Sequence, residues 1–319
     1  MAEYIGIQGQ IRRNNLRSVL LLAAFPLLIL AVVWVFFYLT NYSQEGPPQA
    51  SMVNDYFVST IPGVIIAVSV WFLIAWISHS FMIKRATGSM TLERKENKRV
   101  YNLVENLCIA SGMPMPKVNV IPDDALNAFA SGISTKSYTV TLTQGIIEKL
   151  DDDELEGVIA HELMHIQNRD VRLLIISIIF VGIFSFVAQL AFRNLLYGGM
   201  GGMGGNRRKQ NDNRLMIIAV VIAIVAYLLS VTFRFAISRN REYMADSGAA
   251  ELTKNPRALA SALKKISGNH KVSTVKSPDV AEMFIENTPD KSSGIMASIS
   301  GLFATHPPIE KRIQLLEQF

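Results

Sequence analysis

Four stretches of the chain carry no charged residue over the roughly 20 positions that a helix needs to cross a bilayer core. They are Ser18–Leu39, Phe57–Ser78, Leu173–Phe192 and Leu215–Phe233, and each predicts an apolar helix. Pro26 would kink the first, while Trp34 and Tyr38 suit an interface at its far end. Arg12, Arg13 and Arg17 ahead of this run resemble the start of a signal peptide. The run is too long for one, and no small-residue cleavage site precedes Asn41, so a retained helix is expected. Basic residues lie before the first helix and, as Lys84 and Arg85, after the second, with none from Thr40 to Tyr56. The positive-inside rule therefore predicts that the segment from Lys84 to Arg172 is cytoplasmic.

Between the apolar runs the pattern becomes that of a water-facing protein. Thr91–Ser111 reads as a helix with Val100, Leu103, Val104, Leu107 and Cys108 on one face, ended by Gly112, Pro114 and Pro116. Lys117–Pro122 and Ser137–Thr143 are β-branched runs, with Asn127–Ala130 as a third strand and Gly132 in the turn after it. Asp151, Asp152 and Asp153 could bind calcium, but acids clustered before a helix more often cap it, and Asp151 with Glu154 has capping-box spacing. The helix so opened runs to about Asn168 and buries Leu155, Val158, Ile159 and Leu163. Tyr197–Arg214 is a glycine-rich, then basic, linker expected to be flexible. Asn255–Lys265 and Pro307–Leu316 read as helices, and Gly268–Gly294 as mostly loop.

The expected organisation has four parts. Residues 1–83 form a transmembrane hairpin and 84–172 a cytoplasmic part. Residues 173–233 form a second apolar hairpin with its linker at 193–214, and 234–319 a second cytoplasmic part. The fold class is a mainly α membrane protein: four apolar helices plus a cytoplasmic α+β domain with a small sheet.

Composition agrees: of 319 residues 50% are hydrophobic and only 18% charged, too apolar for an ordinary soluble protein of this size. The net charge of +5 is accounted for by basic membrane flanks, so no nucleic-acid partner is expected. A single cysteine, Cys108, excludes an intramolecular disulfide and a cysteine-ligated zinc ribbon.

The sharpest chemical signal is His161-Glu162-Leu163-Met164-His165 within the capped helix. Residues four apart share a helix face, so both imidazoles can reach one zinc ion, with Glu162 placed to take a proton from an activated water. The bland alternative is two exposed histidines beside a surface acid. A catalytic zinc needs a third protein ligand. Glu242 is the best candidate, because Asp246 one turn later can accept the N–H of a ligating histidine.

These motifs, with Asn127-Ala128-Phe129-Ala130-Ser131-Gly132, Asn168-Arg169-Asp170 and Thr305-His306-Pro307-Pro308 followed by Arg312, resemble the HtpX-like membrane zinc endopeptidases of the bacterial inner membrane. That branch is related to the type I CaaX prenyl proteases. The resemblance implies a zincin-like domain holding one Zn2+ per chain on His161, His165 and Glu242, in the manner of gluzincins, with Glu162 as general base and Asp246 behind the ligands. It also implies that His306 and Arg312 donate to the oxyanion, and that an extended substrate lies along an edge strand at Asn127, Ala128, Phe129 and Ala130. His79 and His270 match nothing in the pattern and are read as structural.

The expected partners are the lipid bilayer and damaged or unfolded membrane proteins, cut on the cytoplasmic side as quality control under stress. Two alternatives remain, a CaaX-type processing protease and a non-catalytic membrane scaffold with a structural metal. Because Glu242 must meet both histidines, the chain between them crosses the membrane an even number of times. Hydrophobicity favours two spanning helices, whereas the basic linker favours a hairpin dipping into the cytoplasmic leaflet; two spans are expected.

Overall fold

The computed structural model describes residues 7–41, 49–197, 217–225, 228, 239–275, 278–281, 283–286 and 306–319. Its contacts form two compact units. One comprises Ser18–Ile77 and Ile176–Arg234, the other Met1–Arg17, Ser78–Ile175 and Phe235–Phe319.

The first unit gathers the apolar stretches. Helices α1 (Ile7–Thr40) and α2 (Ala50–Thr87) are each long and apolar enough to cross a membrane. Their aliphatic side chains, among them Leu20, Leu27, Ile65, Ile66, Leu73 and Ile74, are exposed, far more apolar surface than water tolerates on a monomer. The third apolar stretch lies inside a 28-residue helix, α6 (Asp170–Tyr197). The fourth is described only at 217–225 and 228, which are helical, and the linker at 198–214 lies outside the described residues. Aromatic rings hold this unit together: Phe180 of α6 stacks on Phe25 at 4.4 Å and lies 5.5 Å from Phe72.

In the second unit a four-stranded mixed sheet supports the helices. Its order is β1-β2-β4-β3, from β1 (Met90–Thr91), β2 (Lys117–Ile121), β3 (Ala128–Ser131) and β4 (Thr139–Thr143). β2 runs parallel to β4, and β3 is an antiparallel edge with Ala130 opposite Val140. Helix α3 (Lys98–Ser111) begins later than the apolar periodicity predicts. Met90 and Thr91 pair with β2 instead, and Asn97 caps the helix by accepting the Val100 N–H. Cys108 is a core residue of α3, and burial pushes its thiol up to about 11.

A short α4 (Gln144–Lys149) leads into α5 (Asp152–Gln167), whose capping box is formed as expected: Asp151 accepts the Glu154 N–H while Glu154 accepts the Asp151 N–H. Leu155, Val158, Ile159 and Leu163 are fully buried. Beyond the second apolar pair come α7 (Arg239–Thr253), α8 (Pro256–Gly268), α9 (Pro278–Ala281) and α10 (Ile309–Leu316). Glu154 also accepts from Ser261 at 2.7 Å and Lys265 at 2.6 Å, which fastens α8 to the first turn of α5.

The β3–β4 turn depends on Gly132. Its φ of +119° is open to glycine alone, and a Cβ there would meet the Ser137 carbonyl oxygen at 2.5 Å. Gly132→Ala is expected to cost at least about 1–3 kcal/mol, the usual range for one strained backbone position. Thermal unfolding in detergent checks it; an unchanged midpoint would show that the turn relaxes freely.

Candidate metal centre

Helix α5 carries His161 and His165 one turn apart, and α7 carries Glu242 and Asp246 in the same relation. Where the two helices pack, α7 places Gly248 against Met164, and a Cβ there would lie 2.7 Å from the thioether sulfur. Three donor atoms then converge. The Nε2 atoms of the two histidines are 3.1 Å apart. Glu242 Oε2 lies 3.6 Å from Nε2 of His161, and its Oε1 lies 3.6 Å from Nε2 of His165. Ligands about 2.0–2.1 Å from a tetrahedral zinc lie about 3.3 Å from each other, so this triangle fits one ion. Glu242 Oε2 is buried and makes no hydrogen bond, which is how a carboxylate oxygen reserved for a cation would stand.

Each histidine is backed by a carboxylate. Nδ1 of His161 lies 2.9 Å from Asp246 Oδ1, as the helical spacing on α7 predicts. Nδ1 of His165 lies 3.1 Å from Asp170 Oδ2. Such partners fix the tautomer that leaves Nε2 free for a metal. Asp170 went unread in the sequence, although it stands in the Asn168-Arg169-Asp170 motif five residues after His165. It returns beneath His165 because the chain turns sharply at Arg169, whose φ is 60°.

The cluster is buried, and charge decides its protonation. Burial raises the Glu162 pKa, and the two histidines only partly offset it. The Ala130 N–H of β3 donates to the Glu162 carboxylate, tying it to the edge strand. Burial opposes the charge on Asp246, but Arg312 overrides it and holds Asp246 down at about 2. Glu242 stays well below the usual carboxylate range, since His306 and His165 overcome its burial. Without metal, burial disfavours charge on His165, yet Glu242 and Asp170 lift it to about 10. That proton must leave before Nε2 can ligate, so metal affinity falls as pH falls.

His306 sits at this cluster, with Nδ1 3.3 Å from Glu242 Oε2, just before α10. Arg312 is fully buried; its Nε and Nη2 donate to Asp246 at 2.9 and 2.8 Å, and its Nη1 donates to the Ile285 carbonyl at 3.1 Å. These bonds use three of its five N–H groups, and the guanidinium also faces the cluster, with Nη2 3.4 Å from His161 Nε2 and Nη1 3.6 Å from Glu242 Oε2.

The four strand residues divide. Ala128 offers its carbonyl outward, but the Ile285 N–H already takes it at 2.8 Å. Asn127 donates to the carbonyls of His270 and Glu286, and Phe129 is buried 4.8 Å from Phe284. The segment 283–286 thus straps the start of the β3 edge, and among the described residues the Ala130 carbonyl is the next outward-facing acceptor along it. Nothing in the local sequence marks 283–286 for this place. His270 contributes a main-chain carbonyl and His79 sits near the end of α2, beside Ser80, neither at the cluster. Thr305 lies outside the described residues.

Residues 94–319 match Peptidase family M48. The chain belongs to this family. A protein of Bacteroides fragilis described as a protease HtpX homolog is 53% identical over 99% of this chain and 100% of its own length. Another so described, from Lactobacillus acidophilus, is 38% identical over 82% of this chain and 89% of its own. Among solved structures, Ste24p of S. mikatae aligns with 82% of this chain and 58% of its own at 21% identity, with a TM-score of 0.49. This chain is therefore an M48 zinc metalloprotease of the HtpX type, and His161, His165 and Glu242 form the cluster that such a metal site requires.

Removing one partner of a buried ion pair strands the other's charge. Arg312→Ala is expected to destabilise the chelator-treated protein by about 3–5 kcal/mol. Chemical denaturation in detergent checks it, and an unaltered midpoint would mean that Asp246 finds another donor.

Proposed function

We propose that this M48 protease is a membrane-embedded endopeptidase holding one zinc per chain on His161, His165 and Glu242, and that it cuts unfolded or damaged membrane proteins at the cytoplasmic face of the bacterial inner membrane. The observation that carries this reading is the triangle of donors, with both histidines braced by carboxylates and Glu162 beside them. When bound, zinc supplies the Lewis acidity that activates water and polarises the scissile carbonyl. Glu162 takes the proton of the attacking water and returns it to the leaving amine, and its raised pKa suits both steps. Asp246 and Asp170 orient the ligand rings. His306 and Arg312 are assigned to the oxyanion, and Arg312 also positions Asp246 through the two bonds it donates to that carboxylate.

A substrate running along β3 pairs backbone to backbone from the Ala130 carbonyl onward, reading extension rather than side chains. That selectivity favours unstructured chains, which supports a quality-control role over processing of one prenylated terminus. A scaffold with a structural metal would ordinarily show four protein ligands and has no use for Glu162.

Glu162→Gln is expected to keep its zinc and to lose cleavage of β-casein in detergent by at least about a hundredfold to ten-thousandfold, the range for a lost general acid–base group. Zinc content and cleavage rate are measured together. Cleavage at the wild-type rate would sink the assignment of Glu162, and a wild-type protein that holds zinc but cuts nothing would favour the scaffold.

Two further spanning helices, at 173–192 and 215–233, complete the proposed arrangement. The stacking of Phe180 on Phe25 supports it by laying α6 beside the first hairpin. A cysteine introduced at Asn206 reports the topology, with little background, since Cys108 is buried with a raised pKa. Labelling of intact cells by an impermeant maleimide is expected; protection until permeabilisation would replace the second span pair with a hairpin in the cytoplasmic leaflet.

A further inference from the structure

Asn14 lies at the start of α1, ahead of the apolar stretch, yet only 3% of it is exposed. Its Nδ2 donates to Asp170 Oδ1 at 2.6 Å and to the main-chain carbonyl of Asn168 at 2.9 Å. These two acceptors flank Arg169, the residue of positive φ that turns α5 into α6. The other oxygen of the same Asp170 carboxylate faces His165 Nδ1. Two more contacts close the arrangement: Arg169 Nη1 donates to Asn15 Oδ1 at 2.9 Å, and Arg241, next to Glu242, donates to the Asp170 carbonyl at 3.4 Å. Asp170 is therefore a junction joined to the N-terminal helix, to the ring of His165, and to the helix that carries Glu242.

We propose that Asn14 is a positioning residue of the metal centre: it fixes the Asp170 carboxylate that aims His165, and so couples docking of the water-facing start of α1 to zinc binding. The inference rests on His165 being a zinc ligand. A buried carboxylate that loses one of its donors reorients or draws in water, because an unsatisfied charged group is costly. If Asp170 rotates, the tautomer and direction of His165 are no longer fixed. Coupling of this kind is reciprocal, so zinc must tighten the seating of α1 as much as α1 tightens zinc. The first hairpin then acts as more than an anchor, because its first turns complete the site.

The test uses the full chain in detergent, carrying Glu162→Gln to prevent self-cleavage, with zinc affinity measured by chelator competition. Loss of a residue touching a ligand costs about 10- to 100-fold, and Asn14 stands one step further out, so Asn14→Ala is expected to weaken zinc about threefold to tenfold. Asn14→Asp, of the same size but with a carboxylate facing Asp170, is expected to weaken it more. In an Asp170→Asn background Asn14→Ala should add little, since interacting sites are not additive. Trypsin cleavage at the exposed Arg12 and Arg13 gives a second readout. Zinc should slow it in the parent and not in Asn14→Ala. Unchanged zinc affinity in both Asn14 variants, or losses that simply add to those of Asp170→Asn, would overturn the proposal. Zinc affinity unaffected by His165→Ala would instead overturn the metal assignment beneath it.

Discussion

A metal ion needs its donors on rigid supports, and here Glu242 lies far along the chain from His161 and His165, with two apolar stretches between. Several described features of the second unit serve that meeting. Helix α5 is locked at its first turn by the Asp151–Glu154 box and by Ser261 and Lys265 of α8. Helix α7 meets it at a glycine, Gly248, where a Cβ would displace the Met164 side chain. Bringing Glu242 within 3.6 Å of both imidazoles is thus a packing result before it is a chemical one.

The same closeness creates an electrostatic problem. Glu162, Asp170, Glu242 and Asp246 are all nearly fully buried, and so is Arg312. Carboxylates so close repel one another, and among the described residues Arg312 answers part of this, binding Asp246 through two hydrogen bonds and lying 3.6 Å from Glu242 Oε2. The remaining negative charge faces the imidazoles and the space between the three donors. A dication there relieves repulsion that the protein alone leaves standing.

How much of this could be read from the chain depended on distance along it. The histidine pair, the capping box and the buried face of α5 follow from spacings of three and four residues, and they appear where expected. Glu242 with Asp246 was legible for the same reason once a third ligand was sought. Strand β1 was not, since two residues carry no periodicity, and its pairing with β2 displaced the start of α3 to Lys98. Asp170, Asn14 and the strap at 283–286 were missed because each acts on a residue remote in sequence or across a sharp turn, by hydrogen bonds that no local pattern announces. Arg312 lies beside Asp246 in the structure, and the identity of its acceptors could come only from the fold.

The strap has a consequence for solubility. A sheet that accepts extended peptides at an exposed edge also invites edges of other copies, and such growth has no natural end. Here one outer strand, β1, is only two residues long, too short to template anything. The other, β3, has the Ala128 carbonyl held by Ile285 and the Ala130 N–H held by Glu162. Among the described residues, what stays available is a notch rather than a rail. Two such notches facing each other cannot zip into a continuous ladder.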